Sequence, residues 1–135
     1  MARKITEIEG IGPAKAEKLA AAGISTCEDL LEKCRTRQGR EAVAGETGFS
    51  AATLLSWANM ADLMRIPGIG GEFAELLHAA GVDTVRELAQ RNAENLAAAM
   101  AKVNEEKKLT RVVPSATVVA KWVEAARTTE PMITH

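Results

Sequence analysis

The sequence predicts an all-α fold of two helical repeats closed into one compact domain, and three observations predict it. A Gly-Ile-Gly segment occurs twice, at Gly10-Ile11-Gly12 and Gly68-Ile69-Gly70, 58 positions apart (68 less 10). Each copy is followed by an alanine four residues on and a leucine seven on, Ala16 and Leu19 in the first, Ala74 and Leu77 in the second, and each ends at a glycine, Gly23 or Gly81. Between these marks the apolar residues recur at three-and-four spacing with few β-branched alternations, which is the helical period. Repetition of this kind sets architecture before any single residue sets function.

The elements follow in order from local chemistry. Pro13 suits a first helical turn, because the N–H it lacks would have no intrahelical partner. The helix Pro13 to Ala22 then stops at Gly23, a residue suited to a left-handed C-terminal cap. Thr26-Cys27-Glu28-Asp29 opens the next helix in capping style with Leu30 and Leu31 inward, and Thr84-Val85-Arg86-Glu87 repeats it as a Thr-x-x-Glu capping box before Leu88. Ser50 starts a helix through Leu54, Leu55, Trp57, Ala58 and Ala61 towards Leu63. Ser115 starts its counterpart through Val118, Val119, Trp122, Val123 and Ala126, at an offset of 65 (122 less 57). The added length lies where Arg37 to Gly45 corresponds loosely to Asn92 through Lys108, a longer helix capped at Asn92 and built on Leu96, Met100 and Val103. Seven of the ten glycines lie in the duplicated segments, and Gly39, Gly45 and Gly48 fall in one connecting region, so glycine reads as punctuation between helices. Residues 1–135 are expected to form a single domain with internal repeats at approximately 5–65 and 66–127 and a C-terminal tail at 128–135.

Composition narrows the function classes. The hydrophobic share of 47% and charged share of 26% are those of an ordinary globular domain. A net charge of −1 argues against a whole-surface nucleic-acid binder, since affinity for phosphate backbones is mostly cationic, so any such binding must come from a local patch. Cys27 and Cys34 lack the paired short spacings of a zinc site and read as buried, inert thiols; no metal and no cofactor is expected. No apolar run approaches the ~20 residues of a membrane span and no signal-peptide core is visible, so the expected setting is cytoplasmic. Trp57 and Trp122, the two tryptophans, occupy equivalent places and are expected in the core, with base stacking as the alternative.

The pattern Gly, hydrophobe, Gly, three free positions, Ala, two free positions, Leu resembles the helix-hairpin-helix family. The glycines allow a tight turn and close approach, the central isoleucine pins the loop, and a row of N–H groups is left at a helix N-terminus, an anion site by geometry and dipole. The resemblance implies two hairpins related by a pseudo-two-fold axis that hold backbone phosphates without reading sequence. More narrowly, the run Trp57 to Gly68, with Asn95-Leu96 and the terminal Trp122 helix, is similar to a small bacterial family of double helix-hairpin-helix proteins catalogued as a domain of unknown function. Carried onto this chain, the phosphate site would comprise Gly10, Ile11, Gly12, Ala14, Lys15 and Lys18, and more weakly Gly68, Ile69 and Gly70 of the second hairpin.

The two copies depart differently from that family's DNA-binding pattern. Hairpin one keeps Lys15 and Lys18 but has Glu9 where a proline commonly leads. Hairpin two keeps Pro67 but offers Gly71, Glu72 and Phe73, then Glu75, and carboxylates there repel a phosphate aimed at the same N–H groups. Lys33, Arg35, Arg37 and Arg40, with Arg3 and Lys4, would extend the Lys15 and Lys18 patch to three to five phosphate contacts if they share a side; the alternative is a solvated face. Arg65 is expected to pair with Asp62 three residues earlier. His78 and His135 lack any triad arrangement, and Glu72 with Glu75 reads as an acidic helix face, so no enzymatic activity is expected. The helix from Ser115 is expected beside hairpin one, as its missing leader. The expected function is therefore non-enzymatic binding of double-stranded DNA or another nucleic-acid backbone through hairpin one, and the alternative is a protein-interaction scaffold in which the hairpins are structural.

Overall fold

A computed structural model describes residues 3–135. Among these residues the regular elements are all helical: a 3-10 turn at Ile5–Glu7, then α1 (Pro13–Ala21), α2 (Cys27–Lys33), α3 (Arg37–Thr47), α4 (Ala51–Leu63), α5 (Gly71–Ala79), α6 (Val85–Ala89), α7 (Ala93–Lys107) and α8 (Ala116–Arg127). None of these helices is long and apolar enough to cross a membrane.

Helix starts are written by short polar side chains. Ser50, Asn92 and Ser115 each accept a bond from the backbone N–H three residues on, satisfying one of the orphan donors of the first turn. The two threonine caps differ from their sequence appearance. At α2 the box is complete, since Thr26 accepts from the Asp29 N–H while the Asp29 carboxylate accepts from the N–H groups of Ser25 and Thr26. Those bonds, that from Ser25 foremost, hold the Asp29 carboxyl below its ordinary range. At α6 the Glu87 carboxylate instead accepts from the Thr84 hydroxyl and the Asp83 N–H, leaving half a box.

Packing is organised by α4, which is apolar almost all round and so belongs in the interior. It touches α2 and α3 on one side and α5 and α6 on the other, with Leu54, Ala58 and Leu63 fully buried. The second half closes through α7 and α8, and α8 also covers α6. That placement corrects the expectation for the Ser115 helix. Trp122 carries it onto the second Gly-Ile-Gly turn, its indole Nε1 3.0 Å from where a Gly68 Cβ would stand, and Trp57 of α4 meets Gly10 in the same way at 3.8 Å. What lies against the first turn is the start of α5: a methyl added at Gly71 would fall on the Glu7 carbonyl oxygen. Arg3 adds a bond from its guanidinium to the Ile69 carbonyl.

Two further expectations change. Gly39 and Gly45 lie inside α3 rather than between helices. Gly39 is there because a side chain would collide with the Lys33 carbonyl at the end of α2, whereas nothing surrounds Gly45. After α8 the chain doubles back across α4: Arg65 donates to the Glu130 carbonyl, Met132 N–H to Asp62, and Thr134 N–H to the Arg35 carbonyl, with Ile133 buried.

These contacts predict opposite outcomes for one change at two glycines. Gly71→Ala must push backbone against backbone and is expected to lower stability by about 1–3 kcal/mol, the usual cost of overpacking. Gly45→Ala, in open helix, is expected to raise it by about 0.5–1 kcal/mol. Urea unfolding of both variants checks the pair; equal effects would refute the packing of α5 on the first turn.

Candidate functional site

The two Gly-Ile-Gly turns share one backbone. Gly10 and Gly68 have φ of 95° and 94°, a region closed to most side chains, and Gly12 and Gly70 cap α1 and α5 with φ of −87° and −94°. Ile11 and Ile69 are buried at 3% and 0% exposure, so they pin the turns from inside and cannot touch a ligand with their side chains. Among the described residues no protein acceptor takes the N–H groups of Gly12, Ala14 or Lys15, which point out of the first turn of α1.

Side chains make the turns unequal. Lys15 reaches back so that Nζ donates to the Gly10 carbonyl at 3.3 Å and lies 5.8 Å from the centre of the Trp57 ring. Lys18 sits 5.8 Å over Phe49, whose edge meets Trp57 at 5.0 Å. Each cation over a ring contributes about 0.5–1 kcal/mol at an exposed position. In the second turn the residue 58 places after Lys15 is Phe73, which packs on Trp122 at 5.2 Å. One turn therefore wears a cation where the other wears a ring. Phe49 carries no motif signal of its own; it stands just before the Ser50 cap, where apolar staple residues sit.

Charge around the turns follows the same division. The Glu7 carbonyl crowds Gly71 at the head of α5, and Glu72 and Glu75 rise from that helix. Burial raises the Glu75 carboxyl above its ordinary range; Glu9 of the first turn adds to the rise, His78 opposes it, and Glu72 adds further. His78 itself pairs with Asp83, five residues on, at a spacing no helical rule anticipates.

The wider basic patch does not assemble. Arg40 is 4% exposed and donates to the carbonyls of Cys34 and Arg35, closing the end of α2, so it is not open to a phosphate. Arg37 is exposed but paired with Glu41 at 3.4 Å. The Lys33 ammonium lies by Gly23, at the C-terminal end of α1, away from the free N–H groups. Arg65 pairs with Asp62 at 2.6 Å, as the spacing predicts. Lys15 and Lys18 stand beside the first turn. Cys27 and Cys34 are buried, and burial pushes both thiols up to about 11. No group of three or more potential ligands among the described residues could hold a metal ion.

Residues 9–129 match the family described as a domain of unknown function, DUF4332. The chain belongs to that family. The matched span runs from Glu9, at the head of the first turn, past the end of α8, so both turns and both tryptophans of this DUF4332 chain lie within it. No curated protein and no solved structure matches the chain.

The Glu75 environment gives a signed pH effect. Because its carboxyl titrates higher folded than unfolded, its stabilising share is complete below the unfolded value and is lost as pH rises through the folded one. Glu75→Gln is expected to melt higher than the parent at pH 7, with the gap closing towards pH 4. Melting curves across that window check it, and a gap that widens in acid would contradict the placement of Glu9 and Glu72 beside Glu75.

Proposed function

We propose that this DUF4332 chain is a non-enzymatic helix-hairpin-helix module that contacts a nucleic-acid backbone through its first hairpin, without reading sequence. The observation that carries the reading is the inequality of the two turns. At α1, three unpartnered N–H groups face solvent beside Lys15 and Lys18. At α5 the corresponding N–H groups are equally without protein acceptors, but Glu72 and Phe73 stand where the first copy has Ala14 and Lys15, with Glu75 one residue beyond Ala74. A phosphate at the head of α1 gains the helix dipole and two ammonium groups, whereas at α5 it meets carboxylates. Binding through one hairpin and two lysines is weak and salt-sensitive: two to three phosphate contacts give a slope of log K against log salt of roughly −2 to −3.

A protein-interaction role is the second reading, and one observation favours it. The connection from α7 into α8 exposes Val112, Val113 and Val118, with Val112 67% exposed, an apolar stretch remote in sequence from both turns.

Anisotropy of a labelled duplex of about 20 base pairs, titrated at several salt concentrations, tests the proposal. Expected are micromolar binding at low salt, that slope, and loss of binding in Lys15→Glu/Lys18→Glu with unchanged folding. Absence of binding at low salt, or equal binding by the double variant, would leave the protein-interaction reading standing.

A further inference from the structure

The connection between α7 and α8 is built to hold apolar residues out in water. The two helices pack on each other, and residues 108–115 form the tip of that hairpin. Inside the tip the backbone is fastened. The side chain of Asn104, 8% exposed, takes both backbone groups of Thr110: its Nδ2 donates to the Thr110 carbonyl at 3.0 Å and its Oδ1 accepts from the Thr110 N–H at 2.9 Å. The Thr110 hydroxyl in turn donates to the Val112 carbonyl at 2.8 Å. Pro114 is buried and Leu109 packs against the core, so the tip is anchored on both sides of Arg111, Val112 and Val113. Those two valines, with Val118 in the first turn of α8, are the large apolar side chains that stand exposed among the described residues. A loop free to collapse would bury them, and this one is clamped with them outward.

The charge around them has one sign. Residues 107–123 contain Lys107, Lys108, Arg111 and Lys121 and no carboxylate, while the whole chain stands at −1, so the rest of it carries −5 (−1 less 4). All four cations are exposed, and among the described residues none is in an ion pair. The carboxylates nearest in sequence are Glu105 and Glu106 on α7 and Glu124 on α8, the last paired with Arg127. The positive end of the α8 dipole opens on the same tip. Lys108 keeps its cation there against a backbone preference. It closes α7 with φ of 50° and ψ of 50°, the left-handed conformation that glycine takes at such a place, and among the described residues no other side-chain-bearing residue has a positive φ. Backbone strain of that kind persists where the side chain is used.

We propose that this tip is a docking site for an anionic lipid bilayer, with Val112, Val113 and Val118 entering the headgroup region and the four cations resting on lipid phosphates beside them. The layering decides for a bilayer. An apolar apex flanked by cations is complementary to a surface that is negative outside and hydrocarbon within. A nucleic-acid backbone supplies the charge but nothing for exposed valines to bury against. A protein would need an apolar recess with an acidic rim. The site requires no spanning helix, and it is independent of the reading of the first hairpin. Docking of this kind is reversible, because three valines bury little and each cation near the surface multiplies affinity only about fivefold.

Co-sedimentation of the full chain with vesicles of phosphatidylcholine containing about 30% phosphatidylglycerol, and with vesicles of phosphatidylcholine alone, tests the proposal. Binding to the anionic vesicles is expected at low salt, weakening as salt rises, with little to the neutral ones. Val112→Asp/Val113→Asp is expected to abolish binding and Arg111→Gln to weaken it about fivefold, both with the parent's melting temperature because the positions are exposed. Lys108→Gly, which relieves the left-handed lysine, is expected to melt higher yet bind about fivefold less, an opposition that a purely structural Lys108 would not produce. Insertion has its own readout. Because Cys27 and Cys34 are buried, a Val112→Cys variant takes an environment-sensitive dye at the tip alone, and its emission is expected to shift to the blue on anionic vesicles. Lys15→Glu/Lys18→Glu should still bind the vesicles, which separates this site from the first hairpin. Equal binding to neutral vesicles, equal binding by the double aspartate variant, an unshifted dye, or loss of vesicle binding in Lys15→Glu/Lys18→Glu would each overturn the proposal. So would no binding to anionic vesicles at low salt, which would assign the tip to an acidic protein surface.

Discussion

The rest of the structure depends on one backbone-to-backbone approach, that of the Glu7 carbonyl to Gly71. It permits no side chain between them, so the head of α5 and the chain leading into the first turn must meet at main-chain distance. Arg3 reinforces the meeting by reaching the Ile69 carbonyl. The proximity of Glu9 to Glu75 accompanies the same approach and adds to the rise that burial imposes on the Glu75 carboxyl.

A second constraint is the pairing of each turn with an indole. Trp57 and Trp122 come from helices that follow their turns by different lengths of chain, yet each brings Nε1 to the first glycine of its own turn. The positive φ calls for glycine at both places, and at Gly68 the indole also leaves a Cβ only 3.0 Å, whereas at Gly10 the 3.8 Å separation is an ordinary contact. The two halves then complete the aromatic cluster differently. The first uses Phe49 from ahead of α4 and frees the following position for Lys15, while the second fills that position with Phe73. Chemistry on the outside of the turns thus follows from which sequence position supplies the second ring.

Much of the fold was legible because its signals are local. Caps at Ser50, Asn92 and Ser115, the glycine stops and the helical period all act within one turn of helix, and the tryptophans announce a core by being equivalent. What was not legible is long-range. Nothing near Arg40 in sequence says that its guanidinium turns back six residues to close α2, so a basic run reads as a surface patch when one member is buried. Gly39 looks like a break in a helix, whereas its reason is the Lys33 carbonyl of the preceding helix. The docking of residues 130–134 spans 65 to 99 positions, and a short segment holding a proline and an isoleucine gives no periodicity from which to infer it. Of the candidate site, Gly10, Gly12, Ala14, Lys15 and Lys18 lie together at the first turn. Arg37 pairs with Glu41 along α3, and Arg40 is buried closing the end of α2.

The seat of Lys15 makes the molecule its own optical instrument. Its ammonium rests on the Gly10 carbonyl and over the Trp57 ring, and the equivalent place above Trp122 holds Phe73. Any anion that draws Lys15 away strips a positive charge from the face of one indole and leaves the other untouched. The chain therefore carries two fluorophores in matched settings, one reporting on occupancy of the first turn and the other serving as an internal reference.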